Sequence, residues 1–195
     1  MTAAPADAID RLVGANFDAI RAKRPQARDN AQASFVALFH PDDAGDFPVA
    51  DRHAVAVFVA ALHGQPAIAA FYAEALPEAW PSLLAAEAER GATHGPYGTF
   101  PAGPLSREDK AGKNYRVDAT NRAVLGGRLA AALEHAHFLV LHPRDAAPER
   151  LQALLDAGWT TTGIVTLSQL VAFLSFQIRV VAGLRALAAA REATP

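Results

Sequence analysis

Three side chains in the first half of the chain could carry out proton transfer: His53, His63 and Tyr72. Imidazole and phenol groups both donate and accept hydrogen bonds, so the three could relay a proton. His63 stands just before Gly64 at the predicted end of a helix, where a protonated imidazole is favoured and could serve in acid–base catalysis. The alternatives are that His63 caps its own helix and that His53 and Tyr72 form a buried hydrogen-bonded pair.

A second group of chemically capable residues is Glu134, His135 and His137. Glu134 and His137 have the Glu-x-x-His spacing that places both on one helical face, and helical di-iron proteins use two such pairs with further glutamates. This chain has one pair. We therefore predict an exposed helix face here and no metal.

Two further sets of residues leave alternatives open. His94, Tyr97 and Phe100 could cover a pocket or pin their loop onto a neighbouring subunit. Gln177 and Arg179 lie in an apolar segment and need buried partners. A carboxylate such as Asp51 or Glu74 would serve, and an arginine facing a cavity would instead hold an anionic substrate.

The overall composition excludes several classes of function. The chain has 195 residues, a net charge of −2 and no cysteine. A net charge of −2 does not provide the excess of basic residues that nucleic-acid binding requires, so we expect no nucleic-acid partner. Without cysteine there is no disulfide, no thiolate metal ligand and no sulfur nucleophile. No nucleotide fingerprint occurs, so we expect no cofactor. With no basic and apolar leader, we expect a cytoplasmic protein.

The spacing of apolar residues and the positions of Gly and Pro, which interrupt helices, predict a single all-α domain over residues 1–195, with seven or eight helices and no strand. The predicted helices cover about 9–20 (interrupted at Gly14), 26–39, 49–64, 65–76, 81–91, 118–142, 148–157 and 158–187. Residues 91–117 form a long Gly/Pro-rich loop. Asp46 and Asp118 are predicted helix caps, and Gly64 suits a left-handed position.

The segment 158–187 is apolar on every side and carries no charge from Ala157 to Ile178. Its predicted buried stripe consists of Ile164, Leu167, Val171, Leu174, Ile178, Val181 and Leu184. A helix of this type is buried in a core, buried in a subunit interface, or spans a membrane. Polar residues within it and Arg179 would be costly in lipid. We therefore predict a central helix of a soluble protein and no membrane contact.

Two segments together resemble the carboxymuconolactone decarboxylase and alkylhydroperoxidase D (AhpD) superfamily, in particular its peroxidase-related branch of antioxidant oxidoreductases. The first is RHAVAVFVAALHGQPAIAAFY, Arg52–Tyr72, which is similar to the family's active-site helices. The second, Ala153–Leu184, is similar to the closing helix with its Phe-x-x-x-x-Arg pattern, at Phe173 or Phe176 and Arg179. The likeness covers residues 28–187. It implies an AhpD-like helical bundle that is homo-oligomeric.

All four chemical positions of the family motif differ in this chain. With Gly64 aligned to the family's glycine, Gln65 and Ile68 stand at the two cysteine positions. Tyr72 stands at the distal histidine, and His53 at the glutamate that starts the proton relay. In relatives with the intact motif, a thiolate attacks the peroxide and the second cysteine resolves the sulfenic acid. An amide and an alkyl group perform neither step.

Two classes of function follow. The first is a cysteine-free enzyme that uses His63, with Tyr72 or His53, on a small carbonyl compound or lactone, in a closed pocket between the third, fourth and central helices. The second is a pseudoenzyme scaffold for ligand binding or oligomeric assembly, with Gln65, Ile68 and Tyr72 buried as packing. The expected partners are further copies of the chain and a small-molecule ligand.

Overall fold

The computed structural model describes residues 6–14 and 17–192, and within these ranges it contains ten α-helices and no strand. The all-α class is therefore confirmed. The helices are α1 (Ala8–Val13), α2 (Asp18–Arg21), α3 (Pro25–Phe39), α4 (Val49–Leu62), α5 (Pro66–Ala73), α6 (Trp80–Gly91), α7 (Ala119–Leu125), α8 (Gly127–Leu141), α9 (Pro148–Asp156) and α10 (Thr161–Glu192). Residues 15 and 16 of the predicted first helix, and both ends of the predicted domain, lie outside the described residues.

Two glycines explain why ten helices occur where seven or eight were predicted. Gly14 has φ 72° and ends α1. Gly126 has φ 81° and separates α7 from α8, which meet at a bend of 118°. Both φ angles lie in the left-handed region that only glycine enters at little cost. The prediction of one helix over 118–142 was therefore wrong, because the chain turns at Gly126.

The core is centred on α4, which packs against α3, α5, α6, α8 and α10. Ala54, Val55, Phe58 and Val59 of α4 have no exposed surface. This helix presents apolar side chains in every direction, as its sequence VADRHAVAVFVAAL indicates. A single apolar cluster extends from α1 to α10 and encloses it.

The long helix α10 lies across the bundle and contacts α1, α3, α4, α8 and α9. Six of the seven residues of its predicted stripe are buried, and Leu184 is half-buried. By length and composition Thr161–Arg191 could cross a membrane, and half of its most apolar window is buried against the rest of the protein. Partial burial of this kind is typical of a helix with one face in a core.

The segment between α6 and α7 is irregular, as predicted, except for a 3₁₀ turn at Pro104–Glu108 and one isolated bridge between Gly98 and Lys110. Tyr97 fixes it to α8 of the same chain: its backbone N–H donates to the carbonyl of Leu141 at 2.6 Å, and its ring lies 5.1 Å from that of His142. Phe100 stacks under the guanidinium of Arg144 at 4.2 Å.

The predicted caps have different outcomes. Asp118 accepts a hydrogen bond from the backbone of Thr120, which confirms it as the cap of α7. Gly64 has φ 64°, as predicted. The N-cap of α4 is Pro48, so the prediction for Asp46 was wrong. Asp46 instead accepts a hydrogen bond at 2.6 Å from the hydroxyl of Thr160. This bond joins the loop between α3 and α4 to the start of α10.

Candidate functional site

The predicted site residues lie on α4, on α5 and in the short connection between these two helices. Helix α4 ends at Leu62, His63 follows as its C-cap, and Gly64 turns the backbone. Gln65 then precedes Pro66, whose fixed φ suits the first helical position of α5. This arrangement places Ile68 and Tyr72 one turn apart on a single face of α5.

Tyr72 is 0% exposed and already has a hydrogen-bond partner. Its hydroxyl donates to Oε1 of Gln177 on α10 at 2.6 Å. The ring packs against Phe39 at 4.7 Å and Phe71 at 5.0 Å between centroids. Burial raises the pKa of the Tyr72 phenol far above its ordinary value, which outweighs the opposite effect of the Gln177 hydrogen bond. The phenol therefore stays protonated.

His53 contacts the backbone of Tyr72 and not its hydroxyl. Nδ1 of His53 lies 3.1 Å from the carbonyl oxygen of Tyr72. A carbonyl only accepts, so Nδ1 carries the proton and donates. Burial lowers the pKa of His53, with the Tyr72 carbonyl acting against that shift. The structure thus brings His53 and Tyr72 together as a neutral pair.

His63 lies apart from these two residues. Its Nδ1 donates to the carbonyl of Val59, one turn earlier in α4, at 2.8 Å. His63 is ten residues beyond His53, which corresponds to about 15 Å along the helix axis. The side chain is half-buried and hydrogen-bonds to the end of its own helix.

The resemblance places Gln65 and Ile68 at the family's two cysteine positions, and the burial that a pseudoenzyme predicts for both is found for Ile68 and not for Gln65. Ile68 is fully buried in the core. Gln65 is half-buried and lines an open groove of about 450 Å³ between α4, α5 and α6. The rest of that groove is mostly alanine, with Val57, Pro66 and Pro81. Of the five predicted site residues, which all lie in the described part of the chain, Gln65 alone lines it.

Arg52, next to His53, has a structural role that the sequence analysis missed. Its buried guanidinium donates to the carbonyls of Phe47 at 2.9 Å, Leu38 at 2.8 Å and Ala44 at 2.8 Å. These bonds tie the end of α3 and the following loop to α4. A single arginine near the start of an otherwise apolar helix was the available signal, because a buried guanidinium needs several acceptors.

Glu134 and His137, which have the Glu-x-x-His spacing, are each bonded to other groups of the protein. Glu134 forms ion pairs with Arg116, at 2.6 Å, and with Arg122. Nε2 of His137 lies 2.9 Å from the carbonyl of Gly91. Among the described residues no group of three or more His, Cys, Asp or Glu side chains could hold a metal ion. The prediction of an exposed face was wrong, because His135 and His137 are buried and the side chain of Glu134 is 10% exposed.

Gln177 and Arg179 have opposite environments. Gln177 is buried and receives the hydrogen bond of Tyr72, whereas its Nε2 has no partner among the described residues. Arg179 is exposed, and its Nη1 donates to the carbonyl of Ser175 in its own helix at 2.6 Å. The prediction that Arg179 needs a buried partner was therefore wrong.

His53, His63 and Tyr72 each already have a hydrogen-bond partner. None of the three side chains lines the groove between α4, α5 and α6. Comparisons with protein-family models, with curated proteins and with solved structures found no match to this chain.

Proposed function

We propose that this chain is an AhpD-like scaffold, a pseudoenzyme in which two of the positions that are active in the related peroxidases, Ile68 and Tyr72, serve as packing. The observation that carries this proposal is the fully buried Tyr72, whose hydroxyl donates to Gln177 at 2.6 Å. A residue at the distal position of a proton relay must exchange protons with a substrate or with water. Tyr72 has no exposed surface and is stabilised in its protonated form.

The AhpD-like assignment is supported by agreement between the family-like segments and their local structure. Arg52–Tyr72 folds as two helices joined at Gly64 with a left-handed φ, as a turn between two active-site helices requires. Ala153–Leu184 folds as the end of α9 and the long α10. Absence of cysteine excludes sulfur chemistry at this junction.

Homo-oligomeric assembly is the second part of the proposal. The outer face of α10 carries Val165, Ala172, Phe176 and Leu187 in exposed positions at helical spacing. From Val165 to Leu187 this face is about 33 Å long. Gln169 and Arg179 are exposed on the same face, so its apolar part is centred on Val165, Ala172 and Phe176. Exposed apolar side chains on a helix that is buried on its other side are typical of a surface that a second subunit covers.

The test is consumption of an organic hydroperoxide by the purified protein, with dithiothreitol as the reductant. We expect the rate to equal the background without protein, and the Tyr72→Phe variant to give that same rate. Consumption above background that is lost in Tyr72→Phe would show that the position is catalytic and would overturn the proposal.

An acid–base enzyme is the second candidate, and the half-buried His63 beside the groove-lining residues Gly64 and Gln65 is the observation that favours it. This candidate predicts turnover of a small lactone such as 4-carboxymuconolactone, with complete loss in His63→Ala and a nearly unchanged melting temperature. The scaffold proposal predicts no turnover in either protein.

A further inference from the structure

A cavity of about 570 Å³ lies between α8, α9 and the segment 114–122, away from the α4–α5 junction. Its volume falls in the range of roughly 300–1,000 Å³ that is usual for small-molecule sites. The apolar part of its wall is formed by Ala131, Phe138, Ala153 and Leu154. None of the lining residues belongs to α4 or α5, so the inference does not depend on the role of the α4–α5 junction.

The charged residues that line this cavity are Arg116, Arg122 and Arg150 against Glu134 and Glu149, so one positive charge is in excess. The guanidinium of Arg150 stacks over the ring of Phe138, 4.6 Å from the centroid, and Nη2 lies 3.5 Å from Oδ1 of Asn114. Among the described residues Arg150 forms no ion pair with a carboxylate, whereas Arg116 and Arg122 are both paired with Glu134. The stacked guanidinium is held in place, and apart from the bond to Asn114 its N–H groups have no hydrogen-bond partner among the described residues, which is an arrangement that can bind a carboxylate.

His135, which also lines the cavity, has an unmet hydrogen-bonding requirement. The residue is 6% exposed, and its Nε2 has no hydrogen-bond partner among the described residues. Burial, with a smaller contribution from Arg150, lowers the pKa of His135 to about 4, so the imidazole is neutral near pH 7. A buried polar atom without a partner is costly, and proteins usually provide one.

We propose that this cavity binds a small organic carboxylate with an apolar body. The carboxylate pairs with Arg150, and the body covers Ala131, Ala153 and Leu154. The same carboxylate supplies the hydrogen-bond acceptor that Nε2 of His135 lacks, since Arg150 and His135 both line the cavity. That nitrogen is buried, so this bond requires the imidazole ring to rotate toward the cavity.

Isothermal titration of the full chain with benzoate, benzamide and inorganic phosphate tests the proposal. Benzamide has the shape of benzoate without its charge, and phosphate has charge without an apolar body. We expect benzoate to bind at least about tenfold more tightly than either, since charge-assisted hydrogen bonds and apolar burial both contribute. No heat of binding up to 20 mM benzoate, or phosphate binding as tightly as benzoate, would overturn the proposal.

Two arginine variants provide a matched comparison. Arg150→Gln should weaken benzoate at least about tenfold. Arg144→Gln should leave it unchanged, because Arg144 is also stacked on an aromatic ring, that of Phe100, but does not line the cavity. If Arg150→Gln fails to fold, Arg150→Lys keeps the charge and loses the planar fork, and the same weakening is expected. Equal affinity in the wild type and the Arg150 variant would exclude the site.

Nitrogen NMR of the imidazole side chains tests whether His135 contacts the bound benzoate. Saturating benzoate should shift the Nε2 resonance of His135 and leave that of His137, which is bonded to Gly91, nearly unchanged. A shift confined to residues outside α8 and α9 would place the benzoate elsewhere and would contradict the assignment.

Discussion

At the scale of single residues, His53 and His63 hydrogen-bond to backbone carbonyls and Tyr72 hydrogen-bonds to the side chain of Gln177. The sequence predicted that His53 and Tyr72 would need partners, because a polar ring on an apolar helix does. It could not predict that the partner of Tyr72 is Gln177, which is 105 positions away and comes close only when α10 packs against α5. Local spacing contains no information on such a contact.

Tyr72→Phe should lower the free energy of unfolding by about 1–3 kcal/mol, because it leaves Oε1 of Gln177 buried without a donor. The double variant Tyr72→Phe with Gln177→Leu should recover most of that loss, since both polar partners are then replaced by apolar groups. Urea unfolding measures both values. Additive losses in the double variant would show that the two side chains are not coupled.

The free energy of unfolding should also decrease at acidic pH, because His135 binds a proton more readily in the unfolded chain than in the folded protein. Its pKa is about 4 in the folded protein, against the ordinary value of 6.5 for histidine, so the unfolded chain binds more protons between these values. The contribution of His135 is therefore fully present above pH 6.5 and is lost as the pH falls to 4, by up to about 3 kcal/mol.

The variant His135→Phe isolates this effect, because other groups that line the cavity, Glu134, Glu149 and Arg150, remain unchanged. Urea midpoints of the two proteins at pH 7.5 and pH 4.5 should show a smaller decrease in the variant. The same decrease in both proteins would mean that His135 titrates normally in the folded state.

At the scale of helices, the predicted boundaries agree with the structure where proline or glycine marks them, as at Pro25, Pro66 and Gly158. The prediction was wrong over 118–142, where apolar spacing continues through Gly126 and Gly127. Periodicity reports which face of a helix is buried and does not report a change in the direction of its axis. The left-handed φ of Gly126 became visible only in the structure.

Gly126→Ala should destabilise the protein by about 1–2 kcal/mol, because alanine at φ 81° is strained. Gly127→Ala is the matched control: it is the next residue, has no left-handed φ, and a Cβ there meets no atom within 4 Å. Thermal unfolding should show a lower melting temperature for the first variant and little change for the second. Equal melting temperatures would contradict the bend between α7 and α8.

At the scale of the whole molecule, the all-helical class followed from alanine richness and the absence of period-two patterns. The sequence also predicted the buried stripe of α10, but not that α4 is the most enclosed helix. Both segments are apolar on every side, and only packing decides which one is surrounded. The outer face of α10 remains exposed in one chain, which is why assembly is proposed.

Phe176→Glu should convert the oligomer into a monomer with a nearly unchanged melting temperature, because Phe176 is 44% exposed on the outer face of α10. Leu151→Glu is the control, since Leu151 is similarly exposed, at 46%, on α9. Sedimentation velocity at micromolar concentration measures the subunit number. A monomeric wild type would refute assembly through α10.

The central proposal is that Ile68 and Tyr72, at positions that are reactive in the AhpD-like peroxidases, serve as packing, and thiol labelling at residue 68 tests it most directly. The chain has no cysteine, so the single variants Ile68→Cys and Gln65→Cys each carry one reporter. Ellman's reagent should modify native Ile68→Cys at least about 100-fold more slowly than native Gln65→Cys, because access to residue 68 requires local opening of the core. Equally fast modification of the two cysteines would contradict the account, since residue 68 would then face solvent.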